Sequence, residues 1–424
     1  MRLLLTYENL VPNDQADAEQ FVNTAAALAK VGHEVDLVVP HMPGGPPVDP
    51  AEVFAYFQVD APIRLRSVPT GHRLLGLQHV RHAQAVSSDP ATGEYDLVYT
   101  RNLGMLTACL MRGHRAAYEH FRPWGDQFPP MQPWLRRVLR HPRCVAAFFH
   151  SDFARRTYLR LGIPDEKLAV LHNGYEPKRV EPRLTRAEAR RALELPMEGD
   201  LIVYTGRMNH KKGLDVVLAM AERLKERPDL HFVLVGSTGD GPIERAAAHL
   251  PNVLIRPWQS FAGVIRYLYA ADVLLVPPSL DPLLDHGNTV LPIKLFSYLA
   301  VHRPIFGGRT PDSVELLHHG ENAWLTDPVR ASEADRPAAD LVALLDDADL
   351  RATLADGAAA TAAGLTWEER GRRLGEALEA AAARRPAPTA ADPWGVGSWL
   401  AETGGWLRRG LTEGRWVGAS GKAS

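Results

Sequence analysis

The stretch from Leu201 to Gly213, LIVYTGRMNHKKG, constrains this chain more than any other. Leu201–Tyr204 is an unbroken apolar run of strand length, Thr205-Gly206 marks a sharp turn, and a basic loop closes on Gly213. Val217, Leu218, Ala221 and Leu224 then recur at helical spacing, which predicts a helix over 214–225. Backbone N–H groups at the mouth of such a helix carry partial positive charge. Arg207 can fork onto phosphate oxygens and Lys212 adds a point charge, so the stretch reads as a place for a di-anion. The alternative reading of the same residues is a solvated basic loop in an ordinary Rossmann unit.

A chain of 424 residues can bury two domain cores. Its net charge of −2 gives no global attraction to nucleic acid or to a membrane. Cys109 and Cys144 sit among apolar neighbours and read as buried thiols. No metal site is expected, since pairs such as His318-His319 lack a ligand spacing with other donors. Met1-Arg2 leads straight into a strand, and no apolar run reaches the roughly 18 residues of a membrane span. The expectation is a cytoplasmic protein.

Arg2–Tyr7 reads as a strand, 18–31 as a helix ending at Gly32, and Val35–Val39 as the next strand. Pro40 to Gly71 reads as irregular with two short extended pieces, and Leu74 to Val86 as a helix. Further strands are predicted over Tyr95–Arg101, Arg115–Tyr118, Val145–Phe149 and Leu168–Leu171. Residues at C-terminal strand ends face the binding crevice of such sheets, which makes Arg101 a candidate; its other reading is a surface ion pair. Between 123 and 143, Trp124, Trp134, Leu135, Val138 and Leu139 alternate with Arg136, Arg137, Arg140 and Arg143. That pattern suits either an anionic bilayer at the inner membrane face or packing on the chain's own domain. The polar stretch from Glu176 to Arg186 reads as a linker. It separates domains at 1–178 and 187–365, followed by a helix at 366–385 and a tail at 386–424. In the second domain Trp258 reads as either a stacking platform or core. The tail holds Trp394, Trp399, Trp406 and Trp416 with Arg408, Arg409 and Arg415. A disordered tail seldom carries so many tryptophans, so it reads as docking on its own body, a partner or a membrane.

These motifs together resemble family 4 of the GT-B-fold glycosyltransferases over most of residues 1–385. Gly206-Arg207 and Lys212-Gly213 match the family's "GR…KG" loop, with Lys211 an extra neighbour. Tyr95–Arg101 is similar to its "YDvvy-R" strand, and His150 to Tyr175 to the end of its N-terminal domain. Residues 285–304 resemble "N-T-x-P-x-K-L-F-E-Y-L-A-x-G-x-P" at Asn288-Thr289, Pro292, Lys294-Leu295-Phe296, Tyr298-Leu299-Ala300 and Pro304.

The resemblance implies an α/β, GT-B architecture of two Rossmann-like domains facing across a cleft. It implies retaining, metal-independent transfer of a hexose from a nucleotide-diphosphate sugar, of UDP or GDP type, to an unidentified glycan, lipid or small-molecule acceptor. Arg207 and Lys212 would hold the departing diphosphate as preorganised electrostatics, with Gly206, Lys211 and the N–H groups from Pro292 through Ile293 and Lys294 to Leu295. Trp258 and Gln259 would edge the nucleobase, and Asn288, Thr289 and Ser297 the rest of the donor. His120 would orient the sugar's primary hydroxyl, with Glu119 a less favoured choice. Asn13, Gln15, Arg101 and Glu119 make the acceptor-side set. Three departures stand out: Asn13 to Ala16 replace a Gly-Gly pair, Ser297 replaces the ribose-binding Glu, and Thr289 stands at the first family Glu. A serine makes a weaker contact than a carboxylate accepting from two hydroxyls. A second reading is therefore a catalytically weak or inactive GT-B relic that binds a nucleotide or a partner. A third, a GT-B-fold epimerase, needs its own carboxylate and histidine set, and no run matches one.

Overall fold

In the computed structural model, residues 1–281, 283 and 291–384 are described. The chain divides into two compact units, Met1–Asn173 with the chain from Trp367 onward, and Gly174–Thr366.

The first unit holds strands β1 (Arg2–Thr6), β2 (Glu34–Pro40), β3 (Ile63–Val68), β4 (Leu97–Thr100), β5 (Ala116–His120), β6 (Cys144–Phe149) and β7 (Leu168–Val170). They form one sheet in the order β3-β2-β1-β4-β5-β6-β7, every pairing parallel. Strands covered by helices on both faces need continuous apolar runs. β4, β5 and β6 are accordingly buried at every position. The helix Ala16–Lys30 is alanine-rich, with Ala25 through Ala29 buried. Small side chains let a second helix, Trp367–Arg384, approach closely. A Cβ on its Gly371 would sit 2.6 Å from the Ala27 carbonyl carbon and oxygen.

The second unit holds β8 (Asp200–Thr205), β9 (Leu230–Ser237), β10 (Val253–Pro257), β11 (Val273–Val276), β12 (Ile305–Gly308) and β13 (Trp324–Thr326). Their order is β10-β9-β8-β11-β12-β13, again all parallel.

One expectation changes, one reading gains detail and one open choice is decided. The irregular stretch after Pro40 contains a helix, Pro50–Tyr56, started by Asp49, whose side chain accepts from the Ala51 N–H at 2.9 Å. The linker runs directly into a helix, Arg186–Ala192, opened by a Thr185/Glu188 capping box. Its Arg190 is buried and binds Asp272 and the Ala270, Met197 and Gly199 carbonyls. In the 123–143 segment, Leu135, Val138 and Leu139 are buried on the first unit's own core, and Trp134 donates to Thr107 at 3.0 Å. The bilayer reading of that segment loses its apolar face. No described helix is long and apolar enough to cross a membrane. The tail tryptophans, and Asn288 and Thr289, lie outside the described residues.

Gly371→Ala tests the helix contact. In a solvated helix that change stabilises by about 1 kcal/mol. Here the new methyl meets the Ala27 backbone, and a loss of about 1–3 kcal/mol is expected in urea unfolding.

Candidate functional site

In the second unit the strand ends build a cationic turn. β8 ends at Thr205, and Gly206 follows with φ of 132°. Its N–H donates to the Val235 carbonyl at 2.9 Å. A side chain on Gly236, at the end of β9, would overlap the Gly206 carbonyl, so two glycine turns press together where no Cβ fits. The loop then makes a 3₁₀ turn, His210–Lys212, and stops at Gly213, left-handed with φ of 72°. Ser279, just past β11, fills the space a Gly213 side chain would need. The helix Leu214–Arg223 starts there.

Lys294, the first residue of the helix Lys294–Ala300, reaches into this turn. Its Nζ donates to the Thr205 carbonyl at 2.8 Å and lies 3.5 Å from the centre of the Tyr204 ring. The Tyr204 hydroxyl donates in turn to the Arg207 carbonyl at 3.1 Å. Although Lys294 is partly exposed as a residue, its ammonium end is sunk; burial, and then the Lys212 charge, hold it well below the ordinary lysine range. Arg207 is half-buried, and Lys211 and Lys212 are exposed. Tyr298, on the same helix as Lys294, accepts from the Thr205 N–H at 2.9 Å and ties that helix to β8.

Other donor-side candidates are placed less closely. Trp258 is 42% exposed at the end of β10, which removes the core reading. Its N–H donates to Ser237, and Gln259 bonds the Pro257 carbonyl. The Leu295 N–H already donates to the Pro292 carbonyl at 2.9 Å, so that group is engaged within the chain. Pro292, Ile293 and Ser297 are half-buried at the same helix.

In the first unit, β5 delivers Glu119 and His120 to opposite faces of the sheet. Glu119 is fully buried and accepts from Tyr99 and Gln20, both at 2.8 Å, from His150 at 2.7 Å, and from Arg370. Burial alone would raise its pKa, but the Arg370 guanidinium and the His150 hydrogen bond hold it below the ordinary carboxylate range. So many donors make Glu119 a structural group. Burial keeps His150 neutral, with its pKa drawn down to about 4, so its Nε2–H donates to Glu119. Arg101 reaches the same network through the Gln20 amide oxygen at 2.6 Å, and its guanidinium lies over Phe121.

His120 is buried against Tyr118, Phe121 and Trp124. Burial, then the Arg101 charge, pull its pKa down to about 3. Its Nδ1 lies 3.1 Å from the Arg122 N–H and 3.3 Å from the Arg122 carbonyl, so this edge of the ring is held by the Arg122 backbone in either tautomer. Asn13 is spent on its own loop, donating to the Leu10 carbonyl and accepting from the Gln15 N–H. Gln15 is exposed and caps the first helix without a side-chain bond.

Two matches place this geometry among known proteins. Residues 199–347 match a model described as glycosyl transferases group 1, and residues 18–179 match one described as glycosyltransferase family 4. The chain belongs to the family 4 glycosyltransferases. This family 4 chain is 30% identical over 227 residues to a D-inositol 3-phosphate glycosyltransferase of Thermobispora bispora, covering 50% of each. It is 29% identical over 254 residues to the protein of that name from Acidothermus cellulolyticus, covering 56% of this chain and 53% of the relative. It thus spans about half the length of the curated relatives it matches. Among solved structures it resembles sucrose-phosphate synthase from Thermosynechococcus elongatus, with TM-score 0.71 and 16% identity over 90% of this chain and 99% of the other. It also resembles Anabaena HepE in complex with UDP-glucose, with TM-score 0.65 and 16% identity over 90% and 100%. At such identities the likeness is one of fold, and the fold is GT-B.

Sequence reasoning passed over several groups of this family 4 chain. Glu8 follows β1, with one carboxylate oxygen buried and without a hydrogen-bond partner among the described residues. Burial pushes its pKa up. The strand-end rule that selected Arg101 also points to Glu8. Ser279 Oγ is likewise buried without a partner there. Arg370 lay hidden because its partner is 251 residues away. Among the described residues, no group of three or more His, Cys, Asp or Glu is placed to hold a metal.

Arg370→Met leaves the buried Glu119 charge without its guanidinium and is expected to cost about 3–5 kcal/mol in urea unfolding. Glu119 has a folded pKa below its unfolded value, so its contribution is present above about pH 4.3 and is lost as pH falls. The deficit of the mutant therefore narrows in acid. Lys294 behaves oppositely. Its folded pKa lies below the unfolded value of about 10.4, so the unfolded chain binds more protons between the two and stability rises with pH across that window. Lys294→Met should flatten that alkaline rise.

Proposed function

We propose that this chain transfers a hexose from a nucleotide-diphosphate sugar to an acceptor, with retention of configuration. The observation that carries the reading is the glycine turn after β8, with Lys294 sunk against it and Arg207 and Lys212 on its loop. Charge developing on a departing diphosphate is stabilised most by cations held in place before the reaction. Lys294 holds the Thr205 carbonyl and the Tyr204 ring, and so fixes the turn on which an anion would sit. Arg207 adds a planar fork and Lys212 a mobile point charge.

The remaining roles follow the family resemblance. Gly206 keeps the backbone bare where phosphate approaches, and Trp258 offers an exposed face for a base. Lys211, Gln259, Pro292, Ile293, Leu295 and Ser297 complete the donor set, as do Asn288 and Thr289 outside the described residues. His120, neutral and held at Nδ1 by the Arg122 backbone, has its other ring nitrogen left for a hydroxyl of the donor sugar. Arg101, Asn13, Gln15 and Glu8 stand on the acceptor side. Anabaena HepE, a relative in fold, is solved with UDP-glucose, which supports a UDP donor as the first to test. One observation favours the second reading, a nucleotide-binding relic. Ser297 gives a hydroxyl where a carboxylate would bind ribose.

The test is binding and slow hydrolysis of UDP-, GDP-, ADP- and dTDP-sugars by the purified chain. The expected result is selective binding of one nucleotide class, with hydrolysis reduced at least about a hundredfold in Lys212→Ala at an unchanged melting temperature. Full turnover in a folded Lys212→Ala protein would remove the reading. Binding without turnover, with any acceptor supplied, would favour the relic.

A further inference from the structure

Burying a charge costs free energy that its partners must offset. The buried guanidiniums of this chain are matched to carboxylates, Arg190 to Asp272 and Arg370 to Glu119. The buried Lys167 meets the carbonyls of Leu139 and His141, at 3.0 and 2.7 Å. Those carbonyls lie at the C-terminal end of the helix Gln132–Arg140, where the helix dipole favours a cation. Lys294, sunk at its Nζ end, is provided for less well. Its Nζ has one carbonyl, that of Thr205 at 2.8 Å, and two aromatic rings, Tyr204 at 3.5 Å and Tyr298 at 5.9 Å. A ring face offsets only part of the cost of desolvating an ammonium.

The groups that face Nζ lend it no negative charge. Burial holds the phenols of Tyr204, on β8, and Tyr298, on the same helix as Lys294, above their ordinary range, so both stay neutral. The loop contributes Lys212, whose charge acts against a second cation, and Arg207, whose carbonyl takes the Tyr204 hydroxyl. Past β11, Pro277 and Ser279 carry no charge. Asp215, in the first turn of the helix Leu214–Arg223, is held by His210 at 2.8 and 3.0 Å. No carboxylate among the described residues pairs with Lys294. A lysine in such surroundings sheds its proton more readily than one in water, and regains it when a negative charge comes close. The bare turn leaves room for that charge. Gly206 has no side chain, and a Cβ there would lie 3.6 Å from Nζ.

We propose that binding of a diphosphate on the Thr205–Gly206 turn is coupled to uptake of a proton by Lys294. The inference rests on the donor reading above. In the ligand-free turn part of the chains carry Lys294 as the uncharged amine, whose N–H still donates to Thr205. The arriving di-anion makes the charged form the stable one. The proton comes from solvent, adds to the Nζ lone pair, and returns to solvent when the nucleotide leaves. Binding that takes up a proton weakens as pH rises. Donor affinity therefore falls by up to about tenfold per pH unit, where the free amine is mostly uncharged and the bound one charged.

The test is calorimetric titration of the full chain with UDP-glucose and with GDP-mannose, in pairs of buffers of unequal ionisation enthalpy. In both ligands the diphosphate is a diester with no proton to lose near neutrality, so any proton taken up belongs to the protein. Uptake should reach about half a proton or more per nucleotide sugar between about pH 7 and about pH 8.5. Lys294→Arg, which stays charged, should bind without uptake and with an affinity level across that range. Lys294→Met should also lose the uptake, and should bind more weakly. His210→Gln removes a second titratable side chain of the loop and should leave the uptake as in the parent. Binding of a nucleotide sugar without proton uptake would overturn this inference and leave the donor reading standing. Uptake that persists in both Lys294 variants, or that His210→Gln removes, would also overturn it. Binding of neither nucleotide sugar would bring down the donor reading and this inference with it.

Discussion

The Glu119 carboxylate is the point on which the first unit closes. A buried charge is tolerated only where donors surround it. Here they come from the helix after β1, through Gln20, from β4, through Tyr99, from the end of β6, through His150, and from the last described helix, through Arg370. Arg370 also binds Thr24 at 2.8 Å and the His172 carbonyl at 3.1 Å. Gln20, His150 and Arg370 each hold a further polar partner, so displacing one segment disturbs the others. The same network reaches the strand-end edge through Gln20 and Arg101. His120 leaves the next position of β5 with its ring clamped between aromatic neighbours. Its orientation is thereby inherited from a strand whose other face is locked by charge.

The second unit handles charge in the opposite way. Its strand-end turn gathers cations, and Lys294 meets a carbonyl dipole and a π face instead of a carboxylate. The contrast separates the two units by chemistry: a carboxylate enclosed by donors in one, and an ammonium set against a carbonyl and an aromatic ring in the other.

Much of the architecture was legible in the chain because parallel strands buried on both faces write themselves as short apolar runs. Leu201–Tyr204, Val145–Phe149 and Tyr95–Arg101 all became strands, shifted by a residue or two at their ends. The glycine and lysine positions of the 201–213 stretch were legible for the same local reason, since turn geometry and charge act within a few residues. What stayed hidden depends on distant partners. Nothing near Glu119 announces Arg370. Amphipathic spacing at 132–140 shows that Leu135 and Val138 are to be covered, but not by what; here it is the unit's own core. At 74–80 the leucines read as an ordinary helix, and only placement shows that they turn outward. The Pro50–Tyr56 helix was masked by the prolines before it, although Asp49-Pro50 is itself a start signal.

The packing of Gly371 on Ala27 has a consequence for biogenesis. The helix that seals the first unit is written after the whole of the second unit in the chain. On a ribosome, which extends a chain by about 5–20 residues per second, residues 1–173 therefore emerge long before the helix that supplies Arg370. The second unit, Gly174–Thr366, has all its strands in hand first. The nascent first sheet must wait with Glu119 and the alanine face of its first helix uncovered, and the later unit is the earlier one to be finished.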